Sequence, residues 1–188
     1  IITAPLVDNN SDTMMAIGGT GLFFSLHLNT EIDAETNVLT YTPSLDFLRT
    51  GTEGDDTTVD SSFAAYENFA FYATNGGVLQ CIDINTLEPV WALNVGADTD
   101  AAIVLDETEN GVVVYHATKS DVEGLAHLRR IDGASGTVEW DVSVPGSITA
   151  SPLVGTGVLD GIVFFSAMNS EAGGTIYALD TETHGVVW

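Results

Sequence analysis

Four aspartates head the same short pattern. Asp33, Asp83, Asp132 and Asp180 are each followed three residues later by a hydroxyl side chain (Thr36, Thr86, Ser135, Thr183) and eight residues later by an aromatic one (Tyr41, Trp91, Trp140, Trp188). A carboxylate and a hydroxyl at this spacing suit a chain reversal, where both bond to nearby backbone groups and fix a tight turn. An aromatic ring at a constant distance beyond the turn suits packing, because each ring can bury on the order of 150–250 Å². The chemistry that this pattern supports is structural, so these residues are expected to build the fold.

The other reactive side chains form no constellation. His27, His116, His127 and His184 fall at unrelated places in the pattern and lack metal-ligand spacing, so they read as ordinary strand or turn residues. Ser61, Ser62 and Ser151 show no spacing to a His and an Asp that would mark a nucleophile. Gly18-Gly19-Thr20-Gly21 has neither the lysine nor the following helix of a phosphate loop and reads as a turn. Acidic groups cluster at Glu53 to Asp60, Asp98 to Asp100 and Asp106 to Glu109. Oxygen-rich loops can hold calcium, but none of these has EF-hand spacing, and solvated loops account for them. No catalytic, cofactor-binding or metal-ligating residue is assigned. The long stretch 42–60 is where loop-borne binding groups are first expected.

The elements that must position these residues are strands. The four aspartates lie 50, 49 and 48 residues apart, and each interval holds four short runs rich in Val, Ile, Phe and Tyr between Gly, Asn and Asp turns. Thr3-Ala4-Pro5-Leu6-Val7 matches Ala150-Ser151-Pro152-Leu153-Val154, each proline standing 36 residues before its aromatic. Second runs are Phe69 to Ala73, Val112 to His116 and Ile162 to Ser166; third runs end on the aspartate and fourth runs on the aromatic. No stretch has a sustained helical period. Four strands per unit of this length is a β-propeller blade. The expected fold is all-β, with four four-stranded blades over roughly 1–41, 42–91, 92–140 and 141–188.

The 188 residues carry 27 Asp and Glu against four Lys and Arg, a net charge of −23, with 45% hydrophobic residues. That balance excludes a nucleic-acid partner, which needs a basic patch, and an anionic membrane surface. No apolar run is long enough to span a bilayer as a helix. One cysteine, Cys81, rules out a disulfide between two cysteines of this chain. The acidity fits an exported or cell-surface protein with a solvated acidic face, or a salt-adapted one.

Tyr177-Ala178-Leu179-Asp180 with Thr183 and Trp188 resembles the tryptophan-docking repeat of the quinoprotein alcohol dehydrogenase-like propellers, and the likeness runs through four units. The resemblance implies half of an eight-bladed propeller, whose remaining blades come from a longer chain or a second copy, since open blade edges are adhesive. The departures are specific. The docking alanine is Glu31, Cys81 and Arg130 in the other units, and the glycine after the hydroxyl is Asn37, Leu87 and His184, with only Gly136 matching. The enzymes of this family use pyrroloquinoline quinone, calcium and a disulfide of adjacent cysteines, whereas this chain has one cysteine and few cations. The expectation is therefore a binding or scaffold module engaging a protein or glycan, with no cofactor, calcium being the ion its loops could take. The alternative is a fragment of a quinone- and calcium-dependent dehydrogenase.

Overall fold

β-branched and aromatic residues spaced two apart favour pleated strands over helices, and the computed structural model, which describes residues 3–8, 11–19, 21–49, 57–170 and 173–188, has no α-helix among them. The strands form successive antiparallel sheets, one per blade. The first contains β1 (Leu6–Asp8), β2 (Thr13–Gly18) and β3 (Leu22–His27). A two-stranded ribbon follows, β4 (Thr30–Ile32) with β5 (Leu39–Tyr41), and then β6 (Ser44–Arg49) returns to pair with β3. The second sheet is β7 (Ala64–Tyr66), β8 (Phe69–Ala73), β9 (Val78–Asp83) and β10 (Glu88–Asn94). The third is β11 (Val104–Thr108), β12 (Gly111–Ala117), β13 (Leu125–Asp132) and β14 (Val138–Pro145). The fourth is β15 (Leu153–Val154), β16 (Ile162–Ser170) and β17 (Gly173–Asp180), with a fourth strand reduced to a bridge between Leu179 and Val186 and two backbone bonds between Ala178 and residues 187 and 188.

The core lies in the seams between sheets. Met15, Ile17 and Phe23 pack against Phe63, Tyr72 and Ile82 at the first seam. Phe71, Leu79 and Cys81 meet Val112, Val114 and Ile131 at the second. Tyr115, Leu128 and Trp140 meet Val163, Phe165 and Leu179 at the third. Alternation along a strand does the sorting: Ala70 and Tyr72 of β8 face one neighbour, while Phe71 and Ala73 face the other. The inner sheets are covered on both faces, which is why β8 and β12 are apolar almost throughout.

The first blade departs from the sequence expectation. Its third strand ends at His27, not at Asp33, and its fourth is Ser44–Arg49, so the boundary at residue 41 is corrected. The cause is a bend at Asn29, which takes a left-handed conformation (φ 50°). Asp12 fixes that bend: its backbone carbonyl accepts from the N–H of Leu28, and its Oδ2 accepts from the N–H and hydroxyl of Thr30 at 2.6 and 2.8 Å. The Asn29 side chain donates to the carbonyl of Thr42, just ahead of the returning strand. The Asp33 turn is thus carried out of the sheet on the ribbon, and Ile32, Leu39 and Tyr41 on one face of the ribbon are more than half exposed.

Candidate functional site

The repeated aspartates all do the same job. Oδ1 of Asp33 accepts the N–H groups of Glu35 and Thr36, that of Asp83 those of Asn85 and Thr86, and that of Asp180 those of Glu182 and Thr183, all at 2.7–3.0 Å. Asp132 accepts both the N–H and the hydroxyl of Ser135. The backbone N–H bonds from Thr36 and Thr183 hold the carboxyls of Asp33 and Asp180 below the usual carboxylate range. At Asp83 burial pushes the other way, but the bonds from Thr86, Asn85 and Asn68 together prevail and lower it. Four residues after each aspartate the backbone is left-handed, at Asn37, Leu87, Gly136 and His184, with φ of 54°, 57°, 72° and 58°. That conformation closes the turn and explains the glycine in the repeat.

Beyond each inner turn a bulge re-aims the tryptophan. Val90 is the extra residue before Trp91, and Glu139 is the extra residue before Trp140. Trp91 then stands across from Cys81 and Trp140 across from Arg130. The Trp91 indole reaches the next blade, where Nε1 donates to the carbonyl of Gly133 at 2.9 Å. Trp140 is 7% exposed, lies between the rings of Tyr115 and His184 at 6.0 and 5.6 Å, and has no protein acceptor for its Nε1. Trp188 contacts Phe164 and is 66% exposed. Tyr41, which pairs without a bulge opposite Thr30, is 63% exposed and fills no seam.

The histidines do not converge. His27 bonds Thr13, His116 bonds Thr99 deep in the third blade, His127 sits between Asp121 and Asp141, and His184 lies on Trp140. Ser61 is buried away from any His, and Ser151 accepts the N–H of Ala102. Gly18 and Gly21 close the turn between β2 and β3, with Thr20 outside the described residues. The acidic residues 53–56 also lie outside them. No three His, Cys, Asp or Glu side chains converge on a metal-sized site among the described residues. Lys119 is held by Asp98 and Asp100, Arg129 by Asp141 and Arg130 by Glu139. These three cations are thus each paired with a carboxylate, and the repeated aspartates sit on separate turns.

What the structure brings together is a set of loops at one end of the blades. At the first seam, the N–H of Asn75 donates to the carbonyl of Thr58 and its side chain to Asp60 at 2.9 Å. At the second seam, the N–H of Lys119 donates to the carbonyl of Asp98, and its ammonium binds Asp98 and Asp100 at 2.6 and 2.9 Å. At the third seam the same backbone bond joins Met168 to Ser147, but the side chains at the clasp positions are Met168 and Thr149. With Met168 in place of the Asn or Lys donor and Thr149 in place of the carboxylate, the seam holds an open groove of about 570 Å³, lined by Ser120, Pro145, Gly146, Ser147, Thr149, Met168 and Asn169. Sequence reasoning pointed to residues 42–60 and missed this groove. Its signal, a methionine where the other seams have Asn or Lys, is legible only once the strands are in register.

No family model matches the sequence, and no curated protein matches it. Solved structures do match. BamB from Moraxella catarrhalis is 15% identical, covers 100% of this chain and 49% of its own length, and has a TM-score of 0.64. A europium-containing methanol dehydrogenase is 12% identical over 100% of this chain and 42% of its own, with a TM-score of 0.71. Quinohemoprotein alcohol dehydrogenase from Comamonas testosteroni is 14% identical over 99% of this chain and 34% of its own, with a TM-score of 0.68. The chain thus spans between a third and a half of the length of these proteins. What they share with it along its whole extent is a fold, and the chain is a run of blades with the β-propeller fold of BamB and the quinoprotein dehydrogenases.

Proposed function

We propose that this chain is a binding or scaffold module, exported or at the cell surface, that engages a protein or glycan through its loop face. The observation that carries this reading is the commitment of its reactive side chains: each repeated aspartate caps its own turn, and the described Lys and Arg side chains of the third blade are paired with carboxylates. The groove at the third seam leaves neutral hydroxyl and amide groups facing solvent, a surface suited to recognition. Further propeller blades are partners of the same reading. Leu153, Ile176 and Trp188 lie on the face of the fourth sheet turned away from the third and are more than 60% exposed, whereas the matching faces of the inner sheets are covered.

A fragment of a quinone- and calcium-dependent dehydrogenase is the second reading, favoured by the overlay on two alcohol-oxidising enzymes. Thermal unfolding in calcium, with and without pyrroloquinoline quinone, separates the two. A ligand at about 100 times its dissociation constant adds roughly 2.7 kcal/mol of stability. The binding-module reading expects an unchanged midpoint, and a quinone-dependent rise overturns it.

A further inference from the structure

We infer that the groove between the third and fourth sheets is a binding site for a neutral saccharide of a few units; this rests on the binding-module reading and names its ligand class. The groove lies where the side-chain clasp of the other seams is missing. The first and second seams are shut by Asn75 with Asp60 and by Lys119 with Asp100, and the equivalent positions here are Met168 and Thr149.

The lining chemistry selects the ligand. Ser120, Ser147, Thr149 and Asn169 supply hydroxyl and amide groups that both donate and accept, as a polyol requires. The Ser120 and Ser147 hydroxyls are hydrogen-bonded to each other at 3.1 Å, and Ser147 also accepts the Ser120 N–H, so the pair is ordered before a ligand arrives. The half-exposed Met168 and the exposed Pro145 ring offer an apolar surface for the C–H face of a sugar ring. Among the described residues no carboxylate or cation lines the groove, and the nearby Lys119 is held by two aspartates. An anionic ligand would meet a chain of net charge −23 with no counter-charge in place. An extended peptide would seek unpaired backbone, but Ser147 and Met168 bond each other in both directions. The groove, about 570 Å³, is wide open to solvent.

The test is calorimetric titration of the protein with maltotriose, cellotriose and N,N′,N″-triacetylchitotriose, with trigalacturonate as the charged comparison. The expected result is millimolar or tighter binding of at least one neutral trisaccharide and none of trigalacturonate. The double variant Thr149→Asp with Met168→Lys installs the clasp of the second seam. It should weaken binding by about tenfold or more, the weight of one or two lost hydrogen bonds, with no fall in thermal midpoint. Ser120→Ala, which removes one hydroxyl and its bond to Ser147, should weaken it less. The inference is overturned if no neutral trisaccharide binds up to tens of millimolar, if trigalacturonate binds equally well, or if the clasp variant binds as the parent does. A quinone-induced rise in the midpoint would instead sink the binding-module reading, so the two failures are distinguishable.

Discussion

The Trp91 ring lies so close over Gly136 that a Cβ built on that glycine would stand 2.6 Å from the indole. The same glycine is left-handed, with φ of 72°. Gly136→Ala therefore meets two costs, about 1–2 kcal/mol for the conformation and about 1–3 kcal/mol for overpacking. Urea unfolding should show a loss of at least about 2 kcal/mol; a loss under about 0.5 kcal/mol would contradict the docking described for this seam.

Trp140 and Tyr41 hold the same place in the sequence pattern but not in the structure. Trp140→Ala empties a buried position between Tyr115 and His184 and should cost about 3–5 kcal/mol. Tyr41→Ala removes a ring already 63% exposed and should stay within about 0.5 kcal/mol. Equal midpoint shifts for the two variants would refute the difference between blade and ribbon.

Acid should act through His116. Burial, then the nearby charge of Arg129, pushes its imidazole from the ordinary 6.5 down to about 3. Above pH 6.5 the ring is neutral in folded and unfolded chains alike. Below it, the unfolded chain takes up a proton that the folded chain refuses, so stability falls as pH drops towards 3. Between pH 7 and pH 4.5 this group should account for a loss of about 2–3 kcal/mol. His116→Gln, which keeps a polar partner for Thr99, should flatten that part of the curve in urea unfolding; an identical slope in both proteins would count against it.

Cys81 should be inert in the folded protein. It is fully buried across from Trp91, and burial, then the Asp83 charge, pushes its thiol up to about 12. Thiolate is the reactive form, so iodoacetamide should label Cys81 only as fast as the chain unfolds. Prompt labelling without denaturant would show the second seam to be open.

The blades were legible in the sequence because their strands must be covered on both faces and their turns need a fixed residue set. Asp83, Asp132 and Asp180 end their third strands, as the spacing requires. The first blade was misread because the Asp33 turn is chemically the same turn wherever it sits. What moved it was Asp12 gripping Thr30 across 18 residues, a contact that no local pattern announces. The aromatic at position eight was equally ambiguous, because its burial depends on the bulge before it and on a following blade. The groove was hidden for a related reason: a missing clasp is visible only against the clasps of the other seams.

The seams also have a direction. The Trp91 indole reaches forward onto the turn of the following blade at Gly133 and Gly136, and Trp140 reaches forward onto His184. The third and fourth blades thus each serve as the abutment of the one before, like stones leaning along a stair. Under mechanical load, loosening the fourth blade would withdraw the support from Trp140 and then from Trp91, whereas loosening the first would leave both tryptophans in their seats. The chain should peel stepwise when pulled from its C-terminal end and resist as a block when pulled from the other.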